Sequence, residues 1–416
     1  MSLNGKKTAI VLGGTTPHKT LIDNLKQRGY HTVLVDYYEN PPAKVSADEH
    51  IRESTLDKEK VLEIARSAHA DLVISTSIDQ ANVTACFVAE ELGLPMPYSY
   101  ETALTVTNKL LMKQKMLENG IPTSSFVRVS SEAEIENLKL VFPVVVKPTD
   151  ATGSKGVRKA NDLPTLKTYL KEALNISRNG EAIIEEFFEG TEIQVDFFVQ
   201  NREVTLIMTR EKVKAPGDGD VVLQSVGSIV PAKLSENALE KTMETAKKIV
   251  KALNLDNTSL FIQAIVNKND ISIIEFACRI GGGLSYSMVK IITGFDILNA
   301  TVESFLGIHS SVRYKDPEAC YSTNLIYTQP GIFGEILGYQ ELLDEKIIEE
   351  FYFFKTKGMP IGPNMTSGDR VGGFLVKAEC RQSLFQKIHY IFRKLSVCDI
   401  NGLDITRTDI IENLHI

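Results

Sequence analysis

Short apolar runs alternate with amphipathic stretches over the first hundred residues. The run KTAIVLGG (7–14) predicts a buried strand, residues 17–28 a helix and HTVLVD (31–36) a second strand. A helix near 57–68, a strand DLVIST (71–76) and a helix over 79–92 continue the series. Such alternation predicts a parallel, doubly wound sheet. Ligands of these sheets sit at the carboxyl ends of the strands, here the loops 13–18, 36–38 and 75–79.

The pattern then changes. LGLPMPYSYETA (92–103), with two prolines, reads as a linker, and helices over about 99–106 and 108–118 follow it. From 125 to about 210 strands predominate around one helix (162–174), with QNRE as a hairpin turn. Residues 235–253 form an amphipathic helix, and strands 259–267 and 271–277 are joined by the turn NKND. RIGGG breaks the chain before helices 284–291 and 295–307. Short strands (320–327, 332–337, 346–354, 370–378) and a helix (380–396) complete a smaller α+β region. The expected domains are 1–98, 99–310 with a lid subdomain at about 120–190, and 311–416.

Two decoys lie in the first loop. GGTTPHKT ends in Lys19-Thr20 like a phosphate-binding loop, but His18 stands where that motif needs glycine. The dinucleotide pattern GxGxxG is absent as well. A tight strand-to-helix turn with Pro17 near the helix start and a substrate-facing loop are both open here.

Net charge of −7, from 46 basic and 53 acidic residues, argues against a general nucleic-acid binder. It leaves room for a local basic site that takes small anions. The 43% hydrophobic and 24% charged residues are those of a globular protein, and no apolar run reaches membrane-span length. Five dispersed cysteines without CxxC spacing fit reduced thiols, so a cytoplasmic location is expected.

Three stretches carry candidate chemistry. In VVVKPTDATGSKGV (144–157), Lys147 closes an apolar strand, ahead of a loop whose Gly153 and Gly156 let backbone N–H groups converge on phosphate. Thr152, Ser154 and Lys155 add donors and charge, although a lysine at a strand end can also simply extend its ammonium to water. In IIEEFFEGTE, the backbone of Glu185 and Glu186 could read an adenine edge while Phe187 and Phe188 cover the ring. Glu192 could accept ribose hydroxyls, and a solvated strand end is the competing reading of these acids. In SIIEFACRIGGG, Glu275 could hold Mg²⁺ and Arg279 could stabilise a transferring phosphoryl group. A structural Glu–Arg pair is the alternative there.

In this order and spacing the three stretches resemble the ATP-grasp superfamily, over roughly residues 1–380. The resemblance implies a Rossmann-like amino-terminal parallel sheet, an ATP-grasp fold and a small carboxylase-like α+β subdomain. Its cofactors would be ATP and Mg²⁺. It implies that Lys109 and Lys147 meet the α- and β-phosphates and that TGSKGV is a mobile lid. It further assigns Glu185, Glu186, Phe187 and Phe188 to the adenine hinge and Glu192 to the ribose. Glu275 becomes the metal-bridging glutamate and Arg279 the catalytic arginine. Gln263 and Ala277 depart from the family pattern, which has an acid and an asparagine at these metal positions.

The implied reaction is ATP-dependent ligation of a small carboxylate to an amine through an acylphosphate. IGGGLSYSM after Arg279 differs from the biotin-carboxylase continuation and looks more like amino-acid ligases. There Gly281, Gly282, Gly283 and a helix start would hold a substrate carboxylate, with Arg210 and Lys212 as further anion-binding candidates. A solvated basic hairpin is the other reading of 209–220. The expected partners are small-molecule carboxylate and amine substrates, with neither nucleic acid nor membrane, and a homodimer is among the expected assemblies. Two other functions stay open. One is a purine-pathway or carbamoyl-phosphate-synthase-like enzyme phosphorylating formate, glycine or bicarbonate. The other is a non-catalytic nucleotide-binding protein.

Overall fold

A computed structural model describes residues 5–151, 153, 155–215, 224–363, 365–407 and 409–412. The first sheet has four parallel strands in the order Glu49–Ile51, His31–Val35, Thr8–Leu12 and Leu72–Ile74. Thr8–Leu12 is buried along its whole length, as a strand with both faces covered must be. Helices Thr16–Gln27, Lys58–Ser67 and Asp79–Leu92 follow the strands nearly where the hydrophobic period puts them.

The glycine pair of the first loop has a steric cause. Gly13 has φ +107°, and a Cβ there would lie 2.9 Å from the His18 ring; one on Gly14 would lie 2.4 Å from Pro41. His18 is fully buried, in hydrogen-bond contact with Thr15 Oγ1 (2.8 Å) and Ser75 Oγ (3.3 Å). Asp36 accepts the N–H groups of Gly14 (2.7 Å) and Tyr38 (2.9 Å), which ties the second loop to the first. The loop 13–18 is therefore a packed turn.

Helices Tyr100–Thr107 and Lys109–Glu118, capped by the Ser99 and Asn108 side chains, lead into a small antiparallel sheet. Its strands run in the order Phe126–Val129, Ala182–Glu186, Val144–Pro148 and Arg158–Ala160, backed by helix Leu163–Ile176. The large sheet is antiparallel throughout. Its order is Asp270–Ala277, Thr258–Asn267, Thr191–Gln200, Glu203–Lys214, Ser225–Val230, Cys320–Ile326, Gly372–Ala378 and Glu350–Phe353. The expected hairpin at QNRE forms, with Asn201 (φ 53°) and Arg202 (φ 62°) supplying the positive φ pair of a tight turn whose twist matches the strands.

Three departures from the sequence reading stand out. The central strand Ser225–Val230 was not expected, because QSVGSIV is rich in small polar residues. Gly227 is needed where a Cβ would meet the Thr323 carbonyl at 2.4 Å. The strand expected at 346–354 shrinks to Glu350–Phe353, after a short helix Tyr339–Asp344. Finally, the strands after 310 do not make a sheet of their own alone. Three of them extend the large sheet, while Pro360–Ile361, Gly331–Leu337 and Ser396–Asp399 form a separate three-stranded one.

Alternation along two central strands positions the site. Ile193, Val195, Phe197 and Val199 enter a core shared with helix Glu236–Leu253, so Glu192, Gln194 and Asp196 take the opposite face. On the neighbouring strand Val213 packs into apolar surroundings, and Arg210, Lys212 and Lys214 turn the other way. Among the described residues no helix is long and apolar enough to cross a membrane.

Burial pushes the His18 imidazole down to about 3 from its ordinary 6.5. The folded chain thus keeps His18 neutral while the unfolded chain takes up a proton below pH 6.5, so stability is lost as pH falls from about 6.5 towards 3. Chemical unfolding followed across that window should show a shallower acid decline for His18→Gln than for the unaltered chain. Parallel declines would refute the assignment.

Candidate active site

The small and large antiparallel sheets face each other across a cavity of about 430 Å³. Residues Ser77–Gln80 of the first sheet's loop line one edge, and Leu325, Ser367 and Arg370 line another. Of the three loops expected to face ligand, only 75–79 reaches it. Those at 13–18 and 36–38 bind each other instead.

One wall carries three buried or half-buried lysines. Asn108 accepts the N–H groups of Leu110 and Leu111, which starts the helix at Lys109 and puts Lys109 and Lys113 one turn apart on one face. The Lys109 ammonium donates to the Ala151 carbonyl, and its backbone N–H donates to Thr149 O (2.9 Å). Burial, then the nearby Lys147, lowers the Lys109 pKa against the pull of Glu275. Lys147 is 3% exposed and donates to Glu185 Oε1 at 2.5 Å. Lys113, 2% exposed, pairs with Glu185 Oε2 at 2.6 Å and donates to Thr123 Oγ1 at 2.6 Å. Burial pushes Lys113 down to about 8, while Glu185 resists the shift.

The adenine-edge expectation concerned the Glu185 backbone; its side chain has a separate place. Its carboxylate is turned inward and neutralises two ammonium groups, which hold it below the usual carboxylate range despite burial. Glu186, Phe187 and Phe188 line the cavity, with Lys159 Nζ 4.1 Å from the Phe187 ring centroid. Glu192 also lines it, ion-paired to Lys214. In the glycine loop Gly153 reaches the cavity and Lys155 is exposed away from it. Gly156 is packed against Pro148 and Ile176, where a Cβ would come within 2.9 Å of each, so its glycine serves packing. Thr152 and Ser154 lie outside the described residues.

The opposite wall holds the metal candidates. Glu275 and Gln263 sit directly across from each other on paired strands, and Gln263 lies opposite Gln194 on the next. Gln263 Nε2 donates to Gln194 Oε1 (3.4 Å), which leaves the Gln263 carbonyl oxygen out of that bond. Ala277 contributes no ligand. Among the described residues no three His, Cys, Asp or Glu side chains converge as a metal cage. One carboxylate beside one amide suits Mg²⁺ held mainly by phosphate oxygens and water, the usual way this ion is bound.

Arg279 is gripped by Asp79, with Nε to Oδ1 and a terminal nitrogen to Oδ2 both at 2.6 Å, and it also donates to Ile280 O. Burial works against its charge, yet Asp79 and the more distant Glu275 hold the guanidinium pKa above its ordinary value. Gln194 donates to Asp196 (2.9 Å), Asp196 pairs with Arg210 (2.9 Å), and Arg210 donates to Ser285 Oγ (2.8 Å). Ser285 in turn donates to Gly282 O. Gly281 packs against Arg210, Gln194 and Ser285, so only Gly282 and Gly283 of the three glycines face the cavity. Lys212 lines it too, pushed down to about 7 by burial and then by Arg210.

A model of the ATP-grasp (A) domain of phosphoribosylglycinamide synthetase matches residues 107–283. That span contains Lys109, Lys147, Gln263, Glu275 and Arg279. Residues 107–283 are an ATP-grasp domain. The chain is 27% identical over 404 residues to the formate-dependent phosphoribosylglycinamide formyltransferase of Nitratiruptor sp., covering 93% of this chain and 96% of that one. It is 22% identical to the multifunctional protein URA2 of Saccharomyces cerevisiae over 70% of this chain, but spans only 13% of URA2. An L-amino acid ligase from Bacillus licheniformis has the same fold, with a TM-score of 0.76 at 19% identity over 94% of this chain and 98% of the other. The sequence resemblance to ATP-grasp proteins and the mixed α/β multidomain fold it implied both stand.

Sequence reasoning missed Lys113, Gln194, Asp196 and Arg370, and took Asp79 only as the end of a ligand-facing loop. Two signals were available: Lys113 follows Lys109 by one helical turn, and Glu192, Gln194 and Asp196 alternate with apolar residues. Removing Glu185's charge leaves two buried ammonium groups without a partner. Glu185→Gln should cost about 3–5 kcal/mol in urea unfolding. Adding Lys113→Met should recover part of that loss, since one stranded charge disappears. Simple additivity of the two losses would contradict the coupling.

Proposed function

We propose that this chain is an ATP-dependent carboxylate–amine ligase, acting on an amino acid or a similar small carboxylate. The observation that carries the reading is the shared cavity. Lysines 109 and 147 stand on one wall, and Glu275, Gln263 and Arg279 stand on the wall opposite. A polyphosphate between these walls meets cations on one side and a metal-binding carboxylate on the other. The cytoplasmic location and dimeric assembly are part of the proposal, the first resting on the dispersed cysteines.

The chemistry follows from this placement. A carboxylate oxygen attacks the γ-phosphorus, the bond to the β-γ bridging oxygen breaks, and ADP leaves. The amine nitrogen then attacks the acyl carbon, the bond to phosphate breaks, and the nitrogen gives up its proton. Lys109 and Lys147 hold phosphate oxygens in place, so reacting atoms meet without a search. Arg279, its direction set by Asp79, retains N–H groups beyond those given to Asp79 and Ile280. In this reading those donors would meet the negative charge that grows on the transferred group, where fixed dipoles lower a barrier most. Mg²⁺ held by Glu275 and Gln263 would add charge neutralisation at the phosphates. Glu192, tied to Lys214, and the Phe187–Phe188 pair are the nucleoside-binding candidates.

A second reading, an enzyme of purine type acting on formate or glycine, draws support from the formate-dependent relative that this chain matches almost end to end. ADP release measured against amino acids, formate, glycine and bicarbonate separates the two. Amino-acid-dependent turnover is expected. In the same assay Glu275→Gln should lower kcat at least about a hundredfold. Unchanged turnover in that variant would remove Glu275 from the metal site, and ATP binding without turnover on any acid would leave a non-catalytic binder.

A further inference from the structure

Lys113 has no part in the chemistry above, yet it holds an ammonium on a residue only 2% exposed. Burying such a charge is costly unless something offsets it. Its contacts fix it in place. Nζ stands 2.6 Å from Glu185 Oε2 and donates to Thr123 Oγ1 at 2.6 Å. The Thr123 hydroxyl donates in turn to Ile273 O (2.9 Å), so its own proton is committed and its oxygen is left to accept. The Phe126 ring centroid lies 5.8 Å from Nζ. Burial pushes Lys113 down to about 8, which leaves it mostly charged at neutral pH.

Lys147 is held by less. Its ammonium has a single hydrogen-bond acceptor among the described residues, Glu185 Oε1 at 2.5 Å. The charged groups facing Lys113 are therefore Glu185 and, across the same carboxylate, Lys147. All three side chains line the cavity, and together they carry one positive charge in excess. A phosphate that takes Lys147 takes it from Glu185. Were Lys147 the only partner of that carboxylate, the ligand would leave a buried anion without compensation, and stranding one member of a buried pair is costly. With Lys113 on the other oxygen, Glu185 stays paired when Lys147 turns away.

We propose that Lys113 is the counter-charge that releases Lys147, keeping Glu185 compensated while Lys147 turns from the carboxylate to a nucleotide phosphate. Lys113 is a positioning residue, acting on the ligand through Glu185 and Lys147 without touching it. This rests on the nucleotide site of the ligase reading and is independent of which acid and amine are joined. The charge count sets how variants behave. Lys113→Met leaves a neutral Lys147–Glu185 pair, which holds Lys147 back. Removing the Glu185 charge as well restores one uncompensated ammonium, now Lys147 alone.

Calorimetric titration of the full chain with ADP and Mg²⁺ at neutral pH tests this. Lys113→Met should weaken ADP at least about tenfold. Lys113→Gln, which keeps a donor for Thr123 Oγ1, is the second single variant and should behave alike. The double variant Lys113→Met, Glu185→Gln should regain most of the lost affinity. A residue needed only for packing would not regain it on a second loss, and neither would one that itself bound phosphate. Urea unfolding of each variant establishes that it is folded before titration. Single variants that bind ADP within about twofold of the unaltered chain, or a double variant that binds no tighter than Lys113→Met, would overturn the role. None of these readings requires turnover. Absent ADP release on every acid, with ADP binding intact, would count against the ligase reading alone.

Discussion

Glu185 sits between two buried ammonium groups, and the arrangement of the cavity depends on that contact. Lys147 comes from a strand and Lys113 from a helix, so one carboxylate joins the small sheet to the helix that also carries Lys109. Without it, two ammonium groups would lie buried with no counter-charge, which desolvation makes costly. A second pair does the same at longer range. Asp79 starts the helix that follows the parallel sheet's strand Leu72–Ile74, and Arg279 follows the strand Asp270–Ala277, 200 residues away. The two contacts join parts of three sheets and their helices around one cavity.

What differs between the cavity's charges is how each is compensated. Lys113 and Lys147 share a carboxylate, Arg279 and Arg210 each have one, and Lys214 has Glu192. Lys109, Lys212 and Arg370 have only neutral contacts or none among the described residues. Those three are the positions from which the protein can offer charge to a ligand at least cost. All three line the cavity that Glu275 and Gln263 also line.

Much of the fold was legible because its signals are local. The hydrophobic period located most of the helices and long strands to within a few residues, and QNRE declared its hairpin through Asn201. The strand Ser225–Val230 was not legible, since Gly227 and its serines are dictated by a close approach to Thr323, a contact 96 residues distant. Candidate residues divide in the same way. Lys109, Lys147, Glu192, Gln263 and Glu275, named through the family resemblance, line the cavity, while the Lys113 beside the Glu185 carboxylate was not foreseen. Gly156 and Gly281 were read as ligand-facing glycines, and their lack of a side chain instead admits Pro148 and Arg210. Asp79 was seen only as part of a loop, because nothing local links it to Arg279.

The central claim is that a carboxylate attacks the γ-phosphate before any amine is involved. Positional isotope exchange in ATP labelled at the β-γ bridging oxygen reads that step directly. With the full chain, Mg²⁺ and the acid that stimulates ADP release, the label should scramble into non-bridging positions in the absence of amine. No scrambling should occur when the acid is omitted. Scrambling that ignores the acid, or ADP formation with acid and amine but no exchange under any condition, would contradict the account.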